Sequence, residues 1–283
     1  MDLPRHLIDT VVAHALAEDI GSGDLTTLAV IPVTARATAH VVTRAAGVIA
    51  GLPVLEAVFH HLDPALQVVF HVQDGAAVAA GAIIATVSGS ARHILTGERV
   101  ALNLLQRLSG IATMTAQYVA AVAGTRAQIL DTRKTTPGLR ALEKYAVRMG
   151  GGRNHRFGLY DGVMLKDNHL AILAAEGIDL PAAIARARAQ LGPMVRLEVE
   201  VESVAAAISA AEAGADLILL DNMPLDQLRA AVQAVAGRAK TEASGGVNLQ
   251  TVRAIAETGV DYISVGALTH SVQALDIGLD WAG

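Results

Sequence analysis

"RLEVEVESVAAAISAAEAGADLILLDN", residues 196–222, holds two apolar runs with an alanine-rich stretch between them. Residues 196–201 and 216–222 have strand length and are rich in Val, Leu and Ile, whereas Ser203 to Ala213 reads as a helix. The rhythm continues. A helix is expected from about Pro224, since Pro suits a first helical turn; "AKTEASGG" (239–246) follows, then a helix from about Asn248 to Thr258, then "DYISVGAL" (261–268). Glu200, Asp221, Glu242 and Ser264 are spaced by 21, 21 and 22 residues, each near the C-terminal end of an apolar run. "AQILDTRK" (127–134) and "GVMLKDN" (162–168) end in the same polar manner. Six such units imply an α/β fold with a parallel barrel of about six strands, closed or incomplete. An open doubly wound sheet competes, because periodicity does not prove closure. In a barrel the chemistry belongs at the strands' carboxyl ends, where the βα-loops converge.

The first part of the chain reads differently. A helix is expected over Pro4 to Glu18, then strand-like alternation in "ATAHVVTRAAGVIAG" and "LQVVFHV". The stretch "VQDGAAVAAGAIIATVSG" (72–89) resembles the half-barrel of biotinyl and lipoyl carriers, yet it lacks the lysine that carries the cofactor; a β-rich scaffold is the better reading. "GERVALNLLQRLSGIATMTAQYVAAVAG" (97–124) reads as a long helix leading into the barrel. The expected domains are residues 1–115, 116–270 and a tail, 271–283, that returns to the N-terminal domain.

Composition narrows the function classes. The net charge of −5 argues against a general nucleic-acid binder, and the absence of Cys excludes disulfides and thiolate metal sites. No signal peptide and no apolar membrane span is read, so a cytoplasmic protein is expected. Charge is unevenly placed: residues 131–169 hold eight of the 22 Lys+Arg and four of the 27 Asp+Glu, leaving −9 for the rest of the chain. Three of the four lysines, Lys134, Lys144 and Lys166, lie in that window. A local excess of cations in an acidic chain suggests an anionic ligand.

Candidate chemistry follows from the strand ends. Arg133, Lys134 and Lys166 sit at two of them, and Gly150, Gly151 and Gly152 precede His155 and Arg156 in a segment suited to close ligand approach. Arg140, Lys144 and Arg148 form one helical stripe; a solvated face is the usual explanation of such a stripe and is the reading taken for Arg148. Glu198, Glu200 and Glu202 share one side of a strand and need partners there. Glu200 and Asp221 could hold Mg²⁺ or neutralise developing positive charge, or form salt bridges to the lysines. "EASGG" and "SVGALTHS" offer small residues and free N–H groups at a following helix, suited to phosphate. His60, His61, His71 and His93 lack metal-ligand spacing and read as structural. No nucleotide-binding fingerprint occurs.

With these residues assembled, "GERVALNLLQRLSGIAT", "DTRKTTPGLRALEKYAVRMGGGRNHRFGLYDGVMLKDNH", "EVEVES", "LLDNM", "EASGGV" and "VDYISVGALTHS" closely resemble the quinolinate phosphoribosyltransferases. "GSGDLTT" fits the same pattern. The resemblance implies a mixed α/β N-terminal domain and a homodimer, open to further assembly, in which that domain covers the partner's barrel mouth. It implies transfer from phosphoribosyl pyrophosphate to quinolinate with Mg²⁺, giving nicotinate mononucleotide, pyrophosphate and CO₂. Arg133, His155, Arg156 and Lys166 would bind the quinolinate carboxylates, joined by Arg99 of the neighbouring subunit. Lys134 would lie near both substrates, Glu200 and Asp221 would serve Mg²⁺ and the ribosyl group, and Ser244, Gly245 and Gly266 the 5′-phosphate. Lys134, Lys166, Glu200 and Asp221 form the expected catalytic set.

Two rival enzymes or relatives remain open. Proteins of molybdate-uptake operons share the barrel and a similar basic pattern but are expected to differ around "LKDNH", intact here. A barrel lyase using Lys166 as a Schiff-base amine is the other. A non-catalytic carrier lacks its lysine.

Overall fold

The computed structural model describes residues 3–282. Its strands are β1 (Arg36–Thr43), β2 (Gly47–Val48), β3 (Gln67–Phe70), β4 (Ala77–Val78), β5 (Ile83–Ser90), β6 (Gln128–Leu130), β7 (Val163–Leu165), β8 (Leu197–Val201), β9 (Leu217–Asp221), β10 (Lys240–Ser244), β11 (Tyr262–Ser264) and β12 (Ile277–Trp281). They fall into two compact units, one of Met1–Ala116, Thr135–Gly151 and Leu268–Gly283, the other of Gln117–Lys134 and Gly152–Ala267.

The first unit carries an antiparallel sheet in the order β12-β1-β5-β3. The tail does return: β12 pairs with β1, Val41 opposite Leu279. The carrier-like stretch supplies β5, held between β1 and β3, so it is scaffold. The first helix, Arg5–Ile20, buries Ile8, Val12 and Leu16, an i, i+4, i+8 stripe. The long helix runs Ala91–Ala121. Helix Leu52–Leu62 is capped from a distance, because the Asp74 carboxylate accepts the N–H groups of Gly51 (2.9 Å) and Leu52 (3.1 Å) and the Tyr145 hydroxyl (2.6 Å).

Helix Arg140–Met149 belongs to this first unit. Its basic stripe departs from expectation. Lys144 is fully buried, and the Arg148 guanidinium lies 5.7 Å from the Tyr145 ring centroid with its Nε shielded from water. Spacing by four puts residues on one face, but does not say whether water or protein meets that face. The buried Glu143 on this helix is fully engaged. Arg107 donates to it from Nε (2.9 Å) and Nη2 (2.7 Å), and the Thr136 N–H donates at 3.1 Å.

The second unit is one parallel sheet in the order β6-β11-β10-β9-β8-β7. Its first strand pairs with its last, Ser264 opposite Leu130, and the others follow in sequence order. That is a cyclic order opened between the first two strands. A doubly wound sheet would instead reverse direction from a central strand, so the barrel reading holds in its incomplete form. Beside β6 the gap receives Arg153, whose N–H donates to Ile129 O (2.8 Å) and whose carbonyl accepts from Asp131 N–H (3.1 Å). Leu197, Val199 and Val201 alternate with Glu198 and Glu200, so the apolar side packs on the helices and the acidic side faces inward. Helix Val204–Glu212 starts at Ser203, whose Oγ accepts the Ala206 N–H, and packs Ala207, Ala210 and Ala211 close against the sheet. The next runs Leu225–Val235, as expected after Pro224. The helix expected over Asn248–Thr258 spans only Val252–Ala256. Among the described residues no helix is long and apolar enough to cross a membrane.

Candidate active site

Parallel strands of this register bring their last residues to one end. Ser244 pairs with Asp221 and Ser264 with Leu130, so β6, β9, β10 and β11 finish side by side. There a cavity of about 280 Å³ is lined by Arg133, Lys134, His155, Arg156, Lys166, Glu200, Asp221 and Ser244. Eight of the sequence-derived candidates therefore share one space in the second unit. Thr132, Met164, Glu242 and Ser264 complete much of its wall. Gly245 follows β10 directly, and Gly266 lies two residues past the end of β11. Arg99 lies exposed on helix Ala91–Ala121 of the first unit.

A buried carboxylate organises the cationic side. Asp131, fully shielded, accepts the His155 N–H at 2.8 Å on one oxygen and the Asn154 Nδ2–H at 2.6 Å on the other. It thereby ties the segment holding His155 and Arg156 to the strand end that holds Arg133 and Lys134. Asp161 fixes the turn beyond, accepting the N–H groups of Phe157 (2.7 Å) and Gly158 (2.8 Å). The Arg156 guanidinium reaches Gly162 O at 3.0 Å. Burial, and then the neighbouring Arg133, lower the Arg156 pKa. Two guanidinium groups crowded in this way are suited to an anion that both can share.

His155 is held from both sides. Its Nδ1 accepts the Arg156 N–H (2.8 Å), so Nε2 carries the proton, 2.9 Å from Glu198 Oε2 and 3.8 Å from Glu242 Oε2. The ring thus props the Arg156 backbone. The ligand atoms of His155, Glu198 and Glu242 lie within 4.8 Å of one another, a spacing that a divalent ion or a shared proton would satisfy. The proton is favoured: burial, then the Glu198 charge, push Glu242 up to about 8, so it is mostly neutral at pH 7.

Glu200 and Asp221 form the acidic side. Burial raises the Glu200 pKa, Lys166 opposes this, and Asp221 adds to it. Two hard carboxylates that repel one another beside open space fit Mg²⁺, which takes one or two protein carboxylates and completes its shell with water and phosphate oxygens. Glu202, expected on the same side, lies beyond the end of β8 and is exposed. The phosphate candidate narrows as well. Asn248 Oδ1 takes the N–H groups of Gln250 and Thr251 at 3.0 Å, closing that helix start, so Ser244, Gly245 and Gly266 remain as the candidate cradle. Sequence reasoning passed over Asp131, Asn154 and Asn222, and used Glu242 only as a strand-end marker. The acid opening "DTRK" and the "DN" pair at the end of β9 are the signals for Asp131 and Asn222.

The chain also matches known proteins over its length. Residues 24–109 match the family model for the N-terminal domain of quinolinate phosphoribosyl transferase, and residues 111–280 match that for its C-terminal domain. The chain is 48% identical over 277 residues to a probable nicotinate-nucleotide pyrophosphorylase (carboxylating) of Bacillus subtilis, covering 98% of this chain and 94% of that protein. It is 44% identical over 291 residues to a mitochondrial quinolinate phosphoribosyltransferase (decarboxylating) of Nicotiana tabacum, covering 98% and 82%. The crystal structure of NadC from Streptococcus pyogenes superposes with a TM-score of 0.94 at 45% identity over the full length of both chains.

Proposed function

The chain belongs to the quinolinate phosphoribosyltransferase family, and on that premise we propose how its second unit performs the family reaction. The reaction transfers the phosphoribosyl group of phosphoribosyl pyrophosphate to quinolinate, with decarboxylation, in NAD biosynthesis. The observation that carries this reading is the single cavity in which Arg133, Arg156 and Lys166 face Glu200 and Asp221.

Quinolinate is a dianion. Arg133, Arg156 and Lys166 orient its two carboxylates, with His155 propping Arg156 from behind through its backbone N–H. Arg99 of a neighbouring subunit completes the set in a homodimer. As pyrophosphate departs, positive charge develops on the ribose carbon, and Glu200 and Asp221 stabilise it. Lys134 serves the sugar phosphate side, and Ser244, Gly245 and Gly266 receive the 5′-phosphate. Glu200 and Asp221 would hold Mg²⁺, directly or through water, and the ion would offset the charge of the leaving group. The new N-glycosidic bond makes the ring a pyridinium, an electron sink beside the C2 carboxylate, so loss of CO₂ needs no further cofactor. Positioning and electrostatics supply the catalysis, without a covalent nucleophile on the protein. The setting is cytoplasmic.

Pyrophosphate and CO₂ release from quinolinate, phosphoribosyl pyrophosphate and Mg²⁺ tests the reading. Lys166→Ala should abolish both products while the protein still unfolds cooperatively. A protein–ribose adduct trapped during turnover would contradict the mechanism, and borohydride trapping at Lys166 would favour the lyase.

A further inference from the structure

Among the described residues two that are not glycine hold a positive φ, Ala236 (51°) and Asn222 (52°). Ala236 ends helix Leu225–Val235, where a left-handed residue is common. Asn222 ends no helix; it follows β9 directly. A left-handed residue with a side chain costs on the order of 1 kcal/mol, less for Asn than for most, so something holds it there.

Three contacts do so. The Asn222 N–H donates to Ser244 O at 2.9 Å, continuing the β9–β10 ladder one step past the strands. The Asn222 side-chain Nδ2–H donates to Asp221 Oδ2 at 2.7 Å. The same side chain lies over Gly245, where a Cβ would fall 2.5 Å from Asn222 Cγ. Gly245 also has a φ of 93°. Glycine is thus required twice at position 245, once for its backbone angle and once for the room that Asn222 occupies.

We propose that Asn222 is a positioning residue that clamps the Asp221 carboxylate to the Ser244–Gly245 turn, with Gly245 as the recess that receives it. What the clamped groups bind rests on the function proposed above, which assigns the ribosyl moiety to Asp221 and the 5′-phosphate to Ser244 and Gly245. These two contacts lie on one substrate, so their separation must match it. The clamp sets that separation and leaves the cationic side, on β6 and β7, untouched.

A double-mutant cycle with Gly245→Ala, Asn222→Gly and the pair tests this. Gly245→Ala should lower Tm by about 2–4 °C and raise KM for phosphoribosyl pyrophosphate roughly tenfold. The Kd for quinolinate, measured by calorimetry, should stay within about twofold, a split that general loosening would not produce. With Asn222→Gly already present, the Tm loss from Gly245→Ala should fall by about half, because the collision is gone and only the backbone strain remains. Asn222→Gly alone keeps the backbone and should still raise KM for phosphoribosyl pyrophosphate, so the proposal stays testable if Gly245→Ala does not fold. Additive Tm losses, or a quinolinate Kd weakened as much as that KM, would overturn it. A wild-type protein that binds neither substrate would refute the function, while the Tm coupling would still judge the clamp.

Discussion

The two ends of the parallel sheet treat charge in opposite ways. At the amino ends Asp261 accepts from Lys240 Nζ (2.8 Å), from the Thr241 N–H (3.0 Å) and from Arg126, and Asp216 accepts from Arg188 (2.6 Å) and the Leu197 N–H (2.7 Å). Burial alone would raise the Asp261 pKa, but Lys240, Thr241 and Arg126 outweigh it and hold it low. At the carboxyl ends burial wins: Glu200 is raised and Glu242 is pushed up to about 8. Glu198 Oε1 and both Glu242 oxygens are buried there without hydrogen-bond partners. Paired charge closes one end of the sheet, and incompletely satisfied charge is kept in readiness at the other. The difference locates the active end by energetics alone, independently of any motif.

The largest effect should come from the ready end. Arg133→Ala should lower kcat/KM for quinolinate by roughly 10³-fold, about 4 kcal/mol of transition-state binding. Its midpoint in urea should hardly move, because the side chain stabilises a ligand more than the fold. An equal loss of stability would erase the contrast between the ends.

Asp261→Ala is the converse experiment. It strands Lys240 and the Thr241 N–H at the closed end and should cost about 2–3 kcal/mol in denaturant unfolding, with kcat/KM within about twofold of wild type. A large kinetic loss with normal stability would assign the amino ends a catalytic part.

The two ends should also answer pH with opposite signs. Glu242 takes up its proton more strongly folded (about 8) than unfolded (4.5), so its contribution to stability is complete below the unfolded value and is lost as pH rises towards 8. Asp261 is depressed, so its contribution is present above 3.8 and lost as pH falls below that. Glu242→Gln should flatten the decline of stability between pH 5 and 8 and leave the acid limb unchanged. A decline that persists in this variant would show that the proton resides elsewhere.

The smallest effect calibrates the scale. Arg5→Ala removes an exposed i,i+4 pair with Asp9 and should change stability by about 0.3–0.5 kcal/mol, vanishing in high salt.

Much of this is legible in the sequence. The spacing of Glu200, Asp221 and Ser264 placed them at strand ends because each strand–helix unit has nearly the same length. Less legible was everything decided by distant partners. Closure of β6 on β11 joins residues more than a hundred positions apart, so periodicity left an open sheet in contention. The stripe of Arg140, Lys144 and Arg148 was visible, but its burial depends on what packs over it. Asn248 read as a helix start, whereas its side chain builds a turn that delays the helix to Val252. Asp131 was quoted as the first residue of a cationic motif, and its office as the anchor of His155 and Asn154 appears only when β6 and the Arg153 segment lie together.

The most direct test of the central claim uses quinolinate labelled in its C2 carboxyl group, supplied with phosphoribosyl pyrophosphate and Mg²⁺. The account requires labelled CO₂ and pyrophosphate to appear in equal amounts, and nicotinate to be a far poorer acceptor, since it lacks the second carboxylate that the site's cations would hold. Pyrophosphate without labelled CO₂, or nicotinate used as readily as quinolinate, would contradict it.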